Sequence, residues 1–220
     1  MNKKLKLALA LVFASGIANA GQILSGGTVI SNTMGVYPWP HSPVTDMLDQ
    51  SGLSANYVSG VTNFATFTSS GVTHSGGDMN SWLSASGVYS GSLIFDLGAA
   101  YNVQQFAMWN GASGISASVA RFSLETSLLA DFSVSNAVGS FTGHQSHYGA
   151  TVYDMTDTYA RYVRMNIAGN FGNGCCTAIG DIAFDVTQGN NVPEPIGAAL
   201  VGLGLVGLGA IRRRKAKIAA

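Results

Sequence analysis

The sequence predicts an all-β module, and three observations lead to that class. Short stretches rich in Val, Ile, Phe and Tyr recur at roughly 8–12-residue intervals, which is the spacing of strands in β-sandwiches and barrels. Turn-forming residues such as Gly98, Asn110-Gly111 and Gly143 separate these stretches. No long amphipathic helix pattern competes with them between the two ends of the chain.

The candidate strands begin with Gln22–Ile30 and continue, after a less regular stretch, from residue 92 onward. In order they are Ser92–Leu97, Val103–Trp109, Val119–Thr126, a short run near Phe132, Val138–Phe141, Ala150–Met155, Ala160–Ile167 and Ile179–Val186. Between the first strand and residue 92 we predict loops, one helical turn at Thr45–Asp49 capped by Thr45, and an extended region over Tyr57–Thr68.

Residues 1–20 have the features of a secretory signal peptide. Three lysines within the first six residues precede an apolar core at Leu7–Ile17, and Ala18-Asn19-Ala20 places small residues where signal peptidase reads them. The sequence therefore predicts export, with cleavage between Ala20 and Gly21. The apolar core is too short to span a membrane as an anchor.

The last thirty residues have three parts. Pro193-Glu194-Pro195 is extended because proline fixes φ and restricts the residue before it. An uncharged, glycine-containing run at Ile196–Ile211 follows, and about 24 Å of helix from sixteen residues falls somewhat short of a ~30 Å hydrocarbon core. A basic cluster then favours the cytoplasmic side of the inner membrane; it begins with Arg212, Arg213 and Arg214.

The module between these ends, residues 21–191, is acidic. It contains three arginines, no lysine and ten acidic residues, which gives a net charge of −7, although the whole chain is neutral. An acidic surface repels phosphate backbones, so this composition argues against nucleic-acid binding. The carboxylates are compatible with Ca²⁺, which prefers oxygen ligands.

The C-terminal triple resembles the PEP-CTERM sorting signal, in which Pro-Glu-Pro, a short apolar span and a terminal arginine cluster occur in this order. The resemblance covers residues 192–220. It implies recognition by an exosortase, removal of the span, and a final location at the cell surface or in an extracellular polysaccharide matrix. The alternative is an ordinary single-pass tail anchor in which Pro-Glu-Pro is only a linker.

A second resemblance covers roughly Asp46 to Val186. The segment Ser92–Gly98, followed by Val103 and Phe106–Asn110, resembles the central motif of discoidin, or coagulation-factor type C, domains. Ala160–Ile167 and Ile179–Phe184 are similar to the last two strands of that family. The resemblance implies a galactose-binding-like jelly-roll β-sandwich with ligand-binding loops at one end.

The same resemblance implies a Ca²⁺ site. Asp181 stands where carbohydrate-binding relatives commonly carry a Glu that helps to hold a structural Ca²⁺, and Asp49 is the candidate partner in the facing loop. Asp is one methylene shorter than Glu, so the site is shifted or lost. A partly buried Arg161 or Arg164 needs a carboxylate partner such as Asp96.

Four side chains are candidates for ligand binding: Trp39, His74, Trp82 and Phe171. Aromatic rings on stiff loops suit stacking on a sugar face, and Trp39 lies between two prolines. The alternative for Trp39 is that its ring closes one end of the core.

Cys175 and Cys176 are the only cysteines. In an exported protein they are expected to oxidise unless buried. Adjacent cysteines can close only a strained vicinal disulfide; a link to another chain and two thiols are the alternatives. We favour the vicinal disulfide.

The sequence gives little support for catalysis. His144 and His147 have no nearby third ligand that would complete a zinc site, and Asp154 with Asp157 carries no mark of a glycosidase pair. The leading prediction is a non-catalytic, exosortase-sorted surface protein that binds carbohydrate of the extracellular polysaccharide. The alternatives are a structural matrix protein that self-associates or binds proteins, and an enzyme acting on matrix polymers.

Overall fold

The computed structural model describes residues 21–38, 42–76, 80–110, 115–145 and 149–188. Within these ranges the chain is dominated by antiparallel strands. The elements are β1 (Gln22–Ser25), β2 (Thr28–Asn32), a 3₁₀ turn (Val44–Met47), α1 (Phe64–Thr68), β3 (Trp82–Leu83), β4 (Gly91–Trp109), a second 3₁₀ turn (Ile115–Ala117), β5 (Val119–Ser127), β6 (Asn136–Thr142), β7 (Ala150–Asn170), β8 (Ala178–Ile179) and β9 (Asp181–Gln188).

The main ladder folds into two sheets because its two longest strands, β4 and β7, belong to both. The first half of β4 pairs with β2 and with the second half of β7, which continues to β5 and β6. The second half of β4 pairs with the first half of β7 and with β9, which continues to β1. We call these the β5–β6 sheet and the β1–β9 sheet. This two-sheet antiparallel sandwich confirms the predicted all-β class.

An arginine–aspartate pair marks the corner where β4 and β7 pass between the sheets. Their register is interrupted after Asp96 and resumes at Tyr101. At this interruption Arg161 Nε donates to Asp96 Oδ1 and Arg161 Nη2 donates to Oδ2, both at 2.8 Å. Asp96 Oδ1 also accepts the N–H of Gly98, whose φ of +85° lies in the left-handed region that favours glycine. The predicted pairing of Arg161 with Asp96 is confirmed.

The core between the sheets is rich in aromatic rings. The ring of Phe106 packs against those of Phe184 and Phe122, with centroids 5.2 and 5.9 Å apart, and Tyr153 meets Phe122 edge-on at 5.1 Å. Phe122 on β5 and Tyr153 on β7 alternate with less buried neighbours, which is the period-two pattern of a sheet that buries one face. Phe106 and Phe184 instead have the buried neighbours Ala107 and Ala183. The burial of these rings is the main source of stability for the sandwich.

The outer face of the β1–β9 sheet is also buried. The segment 57–72 covers it: Phe67 packs edge-on against Trp109 at 6.3 Å, and Trp109 Nε1 donates to the carbonyl of Val72 at 3.0 Å. Within this segment Asn63 caps α1, since its Oδ1 accepts the N–H of Thr66 at 2.8 Å.

Asn110 joins the end of β4 to the start of β5. Its fully buried amide donates to the carbonyl of Val119 at 2.8 Å and accepts the N–H of Val119 at 2.9 Å. Ser118 Oγ donates to the Asn110 carbonyl in turn. The two sheets are therefore held together at this end as well as at the corner.

Some of the predicted elements differ from the structure. The runs on either side of each corner, predicted as separate strands, are halves of the continuous β4 and β7. The prediction of a strand near Phe132 is wrong: Phe132 lies in the β5–β6 loop with a φ of +54°, and its ring accepts the Arg164 guanidinium at 4.4 Å. The region predicted as extended contains α1, and Pro43 rather than Thr45 precedes the first 3₁₀ turn.

The described residues contain no helix long and apolar enough to cross a membrane. The span predicted at Ile196–Ile211 lies outside the described residues, as do residues 1–20 and the Pro-Glu-Pro segment.

The corner pair leads to a testable prediction. The Arg161 hydrogen bonds are the main cause that lowers the pKa of Asp96 below its ordinary value, so the contribution of Asp96 to stability is present above that value and is lost as the pH falls through the lowered pKa. We expect Asp96→Asn to lower the melting temperature at pH 7 by about 2–4 °C, a modest effect because the pair is partly exposed.

The difference between wild type and Asp96→Asn should shrink steadily below about pH 4. Thermal unfolding followed by circular dichroism between pH 2 and pH 7 measures it. Arg161→Lys keeps the charge but loses the two-pronged contact, and should fall between the two. Equal melting temperatures for wild type and Asp96→Asn at pH 7 would show that the pair does not support the corner.

Candidate functional site

An open groove of about 390 Å³ lies across three strands of the β5–β6 sheet. Ser123 on β5 stands opposite Ser140 on β6 and Asn166 on β7, so three polar side chains form one row across the sheet. This row lies on the face away from the core, because the neighbouring Phe122 and Leu124 are buried. Arg121 and Thr142 complete the polar part of the lining, and Phe122, Phe141, Ile167 and Ala168 form its apolar part.

A hydrogen-bonded cluster holds Asn166 in place. Its Nδ2 donates to Glu125 Oε1 at 2.8 Å, and the other oxygen of Glu125 accepts from Arg164 Nη2. The hydrogen bond from Arg164 is the main cause that lowers the pKa of Glu125, which therefore stays ionised at neutral pH. The carboxylate nearest the groove is thus already paired.

Arg121 is the exposed cation of the groove. The other two arginines of the module pair with Asp96 and Glu125, whereas Arg121 makes no ion pair with any described residue. A guanidinium of this kind offers planar, paired donors that suit the hydroxyl or carboxylate oxygens of a ligand. Combined with the row of hydroxyl and amide groups, it gives the groove the donor and acceptor composition of a site for a polar, oxygen-rich ligand.

Loops at the adjacent end of the sheet contribute further rings. Phe171 is half-buried, lies two residues beyond Gly169, which pairs with Arg121, and donates its N–H to the Ser118 carbonyl at 3.2 Å. Tyr89 is 39% exposed and its hydroxyl donates to the carbonyl of Gly174. Phe171 is therefore near the groove along the chain, and its role as a ligand-binding residue stays a prediction. Trp39 lies outside the described residues.

The prediction that Trp82 contacts a ligand is wrong. Its side chain is fully buried in the core on β3, and its Nε1 donates to the carbonyl of Gly35 at 3.1 Å. A ring without exposed surface cannot stack on a sugar.

His74 is also buried, with 2% of its surface exposed. One ring nitrogen lies 2.6 Å from the Ser75 carbonyl oxygen and the other lies 2.9 Å from the Asn80 carbonyl oxygen. Burial is the main cause that lowers its pKa. Both nitrogens face backbone carbonyl oxygens, and the neutral ring donates to one of them. The prediction of ligand binding by His74 is wrong, because the ring is buried.

The structure brings the predicted Ca²⁺ residues close enough to influence each other. Asp181 is fully buried and has no cation beside it among the described residues; the backbone N–H groups of Gln50 and Ile182 are its nearest donors. Burial is the main cause that raises its pKa well above the ordinary value, and the charge of Asp49 adds to the rise. Asp49 is exposed, and its Oδ1 accepts the N–H of Ser51 at 2.9 Å.

These two carboxylates fit a hard cation. A buried carboxylate without a counter-charge is costly to ionise, and Ca²⁺ binds oxygen ligands. Among the residues described, no group of three His, Cys, Asp or Glu side chains converges on one point, so carbonyl oxygens or water would supply the remaining ligands.

Cys175 and Cys176 lie in the loop between β7 and β8. Their sulfur atoms are 2.7 Å apart and both residues are thiols in the structure. Asn173 organises the loop, because its Oδ1 accepts the N–H groups of both cysteines, at 2.8 and 3.3 Å. Whether the pair oxidises to a vicinal disulfide stays a prediction.

Among the described residues, the side chains considered for catalysis do not face each other across a cleft. Asp154 and Asp157 are both exposed on β7, where they accept from Gln105 and Gln104 at 2.6 and 3.4 Å. His144 is exposed, and His147 is not among the described residues.

Comparison with solved structures identifies the fold. The family 32 carbohydrate-binding module of Streptococcus pneumoniae EndoD superposes with a TM-score of 0.50 at 18% identity, over 76% of this chain and 99% of that module. The family 32 module of Clostridium perfringens NanJ, solved with galactose, has a TM-score of 0.45 at 13% identity over 74% of this chain and 98% of that one. A Bacteroides thetaiotaomicron putative chitobiase fragment has a TM-score of 0.43 at 18% identity, over 51% and 71% of the two chains.

The first of these similarities shows that the chain has the discoidin-like jelly-roll fold, as predicted. No protein-family model matches the sequence, and no curated protein sequence matches it.

No sequence motif marks the groove, whose residues come from β5, β6 and β7. One signal was available: the module has three arginines, and a carboxylate partner was predicted for Arg161 or Arg164 but not for Arg121.

The buried carboxylate leads to a second prediction. We expect Ca²⁺ at about 100 times its dissociation constant to raise the melting temperature by about 5–10 °C, because binding to the folded state alone stabilises it. Differential scanning fluorimetry with Ca²⁺, with Mg²⁺ and with EDTA measures the shift. Mg²⁺ should give a smaller one, since it requires a tighter octahedral site.

Asp181→Asn should remove the Ca²⁺ shift. It should change the stability of the metal-free protein little, because burial raises the pKa of Asp181 and so favours its uncharged form when no metal is bound. The same Ca²⁺ shift in wild type and in Asp181→Asn would place any bound ion elsewhere.

Proposed function

We propose that this chain is an exported, non-catalytic glycan-binding protein of the cell surface or extracellular matrix. The observation that carries the proposal is the fold: 76% of the chain superposes on nearly all of a module whose name states that it binds carbohydrate. The groove on the β5–β6 sheet supplies a surface of suitable chemistry. Its volume of about 390 Å³ is within the usual range for small-ligand sites.

The groove is suited to a saccharide. Hydroxyl groups on a sugar ring both donate and accept hydrogen bonds, and Ser123, Ser140, Thr142 and Asn166 present both kinds of group. Arg121 adds a charge-assisted contact, which is strongest with an acidic sugar. The acidic remainder of the module weakens binding of acidic polymers elsewhere on its surface, so Arg121 gives the groove an advantage over the rest of the surface.

The sequence features at the two ends support export and sorting. The proposed path is cleavage by signal peptidase after Ala20, temporary anchoring in the inner membrane by residues 196–211, and removal of that span by an exosortase acting at the Pro-Glu-Pro signal. The exported module then meets the polysaccharide of its own cell.

The glycan proposal predicts that Arg121→Gln weakens binding. Loss of one charge-assisted hydrogen bond should raise the dissociation constant for an acidic polysaccharide about tenfold or more. Affinity electrophoresis through gels that contain the extracellular polysaccharide of the source cell, or pectin as a defined acidic polymer, measures retardation. Gln188→Glu is the matched control: it makes the same change in net charge at the end of β9, where Gln188 pairs with Tyr101 at the corner.

Retention that is unchanged in Arg121→Gln but present in wild type would move the glycan site to another surface. Absence of retention on every polysaccharide, that of the source cell included, would reject glycan binding itself.

The processing proposal has its own test. The intact mass of the protein from its own cells should correspond to a chain that starts at Gly21 and lacks residues 196–220. Deletion of the exosortase should leave the C-terminal segment in place and the protein in the membrane fraction. An unprocessed tail in wild-type cells would instead indicate a plain tail anchor.

One observation favours the alternative of a self-associating matrix protein. Leu128, Leu129 and Val134, between 48% and 70% exposed, all lie in the β5–β6 loop, where they form an apolar tip. Sedimentation velocity over a range of protein concentrations, without glycan, distinguishes this alternative: association that disappears in Leu128→Ser/Leu129→Ser would support it, and a monomer at all concentrations would remove it.

A further inference from the structure

Asp185 on β9 is a buried carboxylate that lacks a counter-charge. It is 8% exposed, and its Oδ1 has no hydrogen-bond partner among the described residues. Burial is the main cause that raises its pKa to about 6, and the charge of Asp157 on β7 adds to the rise. Asp154, the other carboxylate on that side, is close to Gln105, which pairs with Asp185 in the ladder. The surroundings of Asp185 are therefore acidic.

Gly21 lies directly against this carboxylate. A Cβ atom placed on Gly21 would be 1.7 Å from Asp185 Oδ1, so the Cα lies close to that oxygen and a larger residue would require the Asp185 side chain to move. The carbonyl of Gly21 is fixed in place, because it accepts the N–H of Phe64 at 3.0 Å and Asn63 Nδ2 at 3.3 Å. The α-nitrogen is one bond away from this Cα.

The chemistry of the Gly21 nitrogen depends on processing. In the precursor it is a neutral amide, whereas cleavage after Ala20 turns it into an ammonium group. The module contains no lysine, and its three arginines lie on other strands or in pairs already described, so the new terminus is the cation best placed for Asp185.

We propose that signal-peptide cleavage completes the fold by creating a buried ion pair between the Gly21 ammonium and the Asp185 carboxylate. The inference depends on the export step of the proposed function and is independent of glycan binding. It gives the residue after the cleavage site a structural role, because the terminus ties the start of β1 to β9 at the edge of the sandwich.

The ion pair determines whether the contribution of Asp185 to the stability of the fold rises or falls with pH. When the α-nitrogen is uncharged or displaced, the raised pKa of Asp185 means that its contribution to stability is present below about pH 4 and is lost as the pH rises through about 6. The ammonium reverses this loss while it is charged, up to its own ordinary pKa of about 8 or higher. The advantage of the Gly21 start is therefore greatest between about pH 6 and pH 8.

The test compares two forms of the chain in detergent micelles, both extending to Ala220: one begins at Gly21 and the other keeps Ala20, which moves the ammonium one residue away. At pH 7 the Gly21 form should melt about 2–4 °C higher, and the difference should vanish at pH 4. Asp185→Asn should abolish the difference at pH 7, whereas the control Asp131→Asn, in the exposed β5–β6 loop, should leave it unchanged.

Equal melting temperatures of the two forms at pH 7, or a difference that survives Asp185→Asn, would overturn the proposal. If Asp185→Asn does not fold, ¹³C-methylation of the α-amine of the wild-type Gly21 form gives a second measurement by NMR. The pKa of the amine should lie above the ordinary value of about 8, and an ordinary value would reject the pair. A native protein whose mass shows another start would reject the processing step alone.

Discussion

The two hydrogen bonds between Arg161 and Asp96 lie at the corner where β4 and β7 pass from one sheet to the other, and the sandwich depends on this corner. A flat ladder of seven strands would leave both faces of β4 and β7 in water, and only a fold at the corner lets one ladder close over its own aromatic core. The contact, with the left-handed Gly98, stabilises that corner where the β4–β7 register is interrupted between Asp96 and Tyr101. Asn110 then fixes the opposite end, where the second half of β4 meets the start of β5.

The two outer faces of the sandwich differ in how far other parts of the chain cover them. The β1–β9 sheet is covered around Trp109 by segment 57–72, and Asp154 stays exposed beside Gln105 at the uncovered part. The β5–β6 sheet carries hydroxyl, amide and guanidinium groups instead, and the β5–β6 loop covers only the part near Arg164. The face that has no apolar cover is the face on which a polar ligand can be held without displacing any part of the chain.

The sequence was sufficient to predict the class of fold, because alternating strands and turn residues depend on local chemistry. It also led to the Arg161–Asp96 pair, since a half-buried arginine needs a carboxylate. It did not show that Trp82 is buried. A tryptophan in a polar stretch has the same local pattern whether its side chain enters the core or the solvent. It missed the Ser123–Asn166 row because register between distant strands decides which side chains share a face.

Strand β9 carries two buried carboxylates in a module that is acidic and contains no lysine. Asp181 and Asp185 lie on the same face of this strand, are four residues apart and are both buried, and neither has a cation among the described residues. Replacing either by an apolar residue would cost less than burying an unpaired charge, so their presence is best explained by positive charge that reaches the module after synthesis. We propose a Ca²⁺ ion as that charge for Asp181 and the terminus released by processing for Asp185. Under these two proposals, the final stability of the module depends on steps that follow its synthesis.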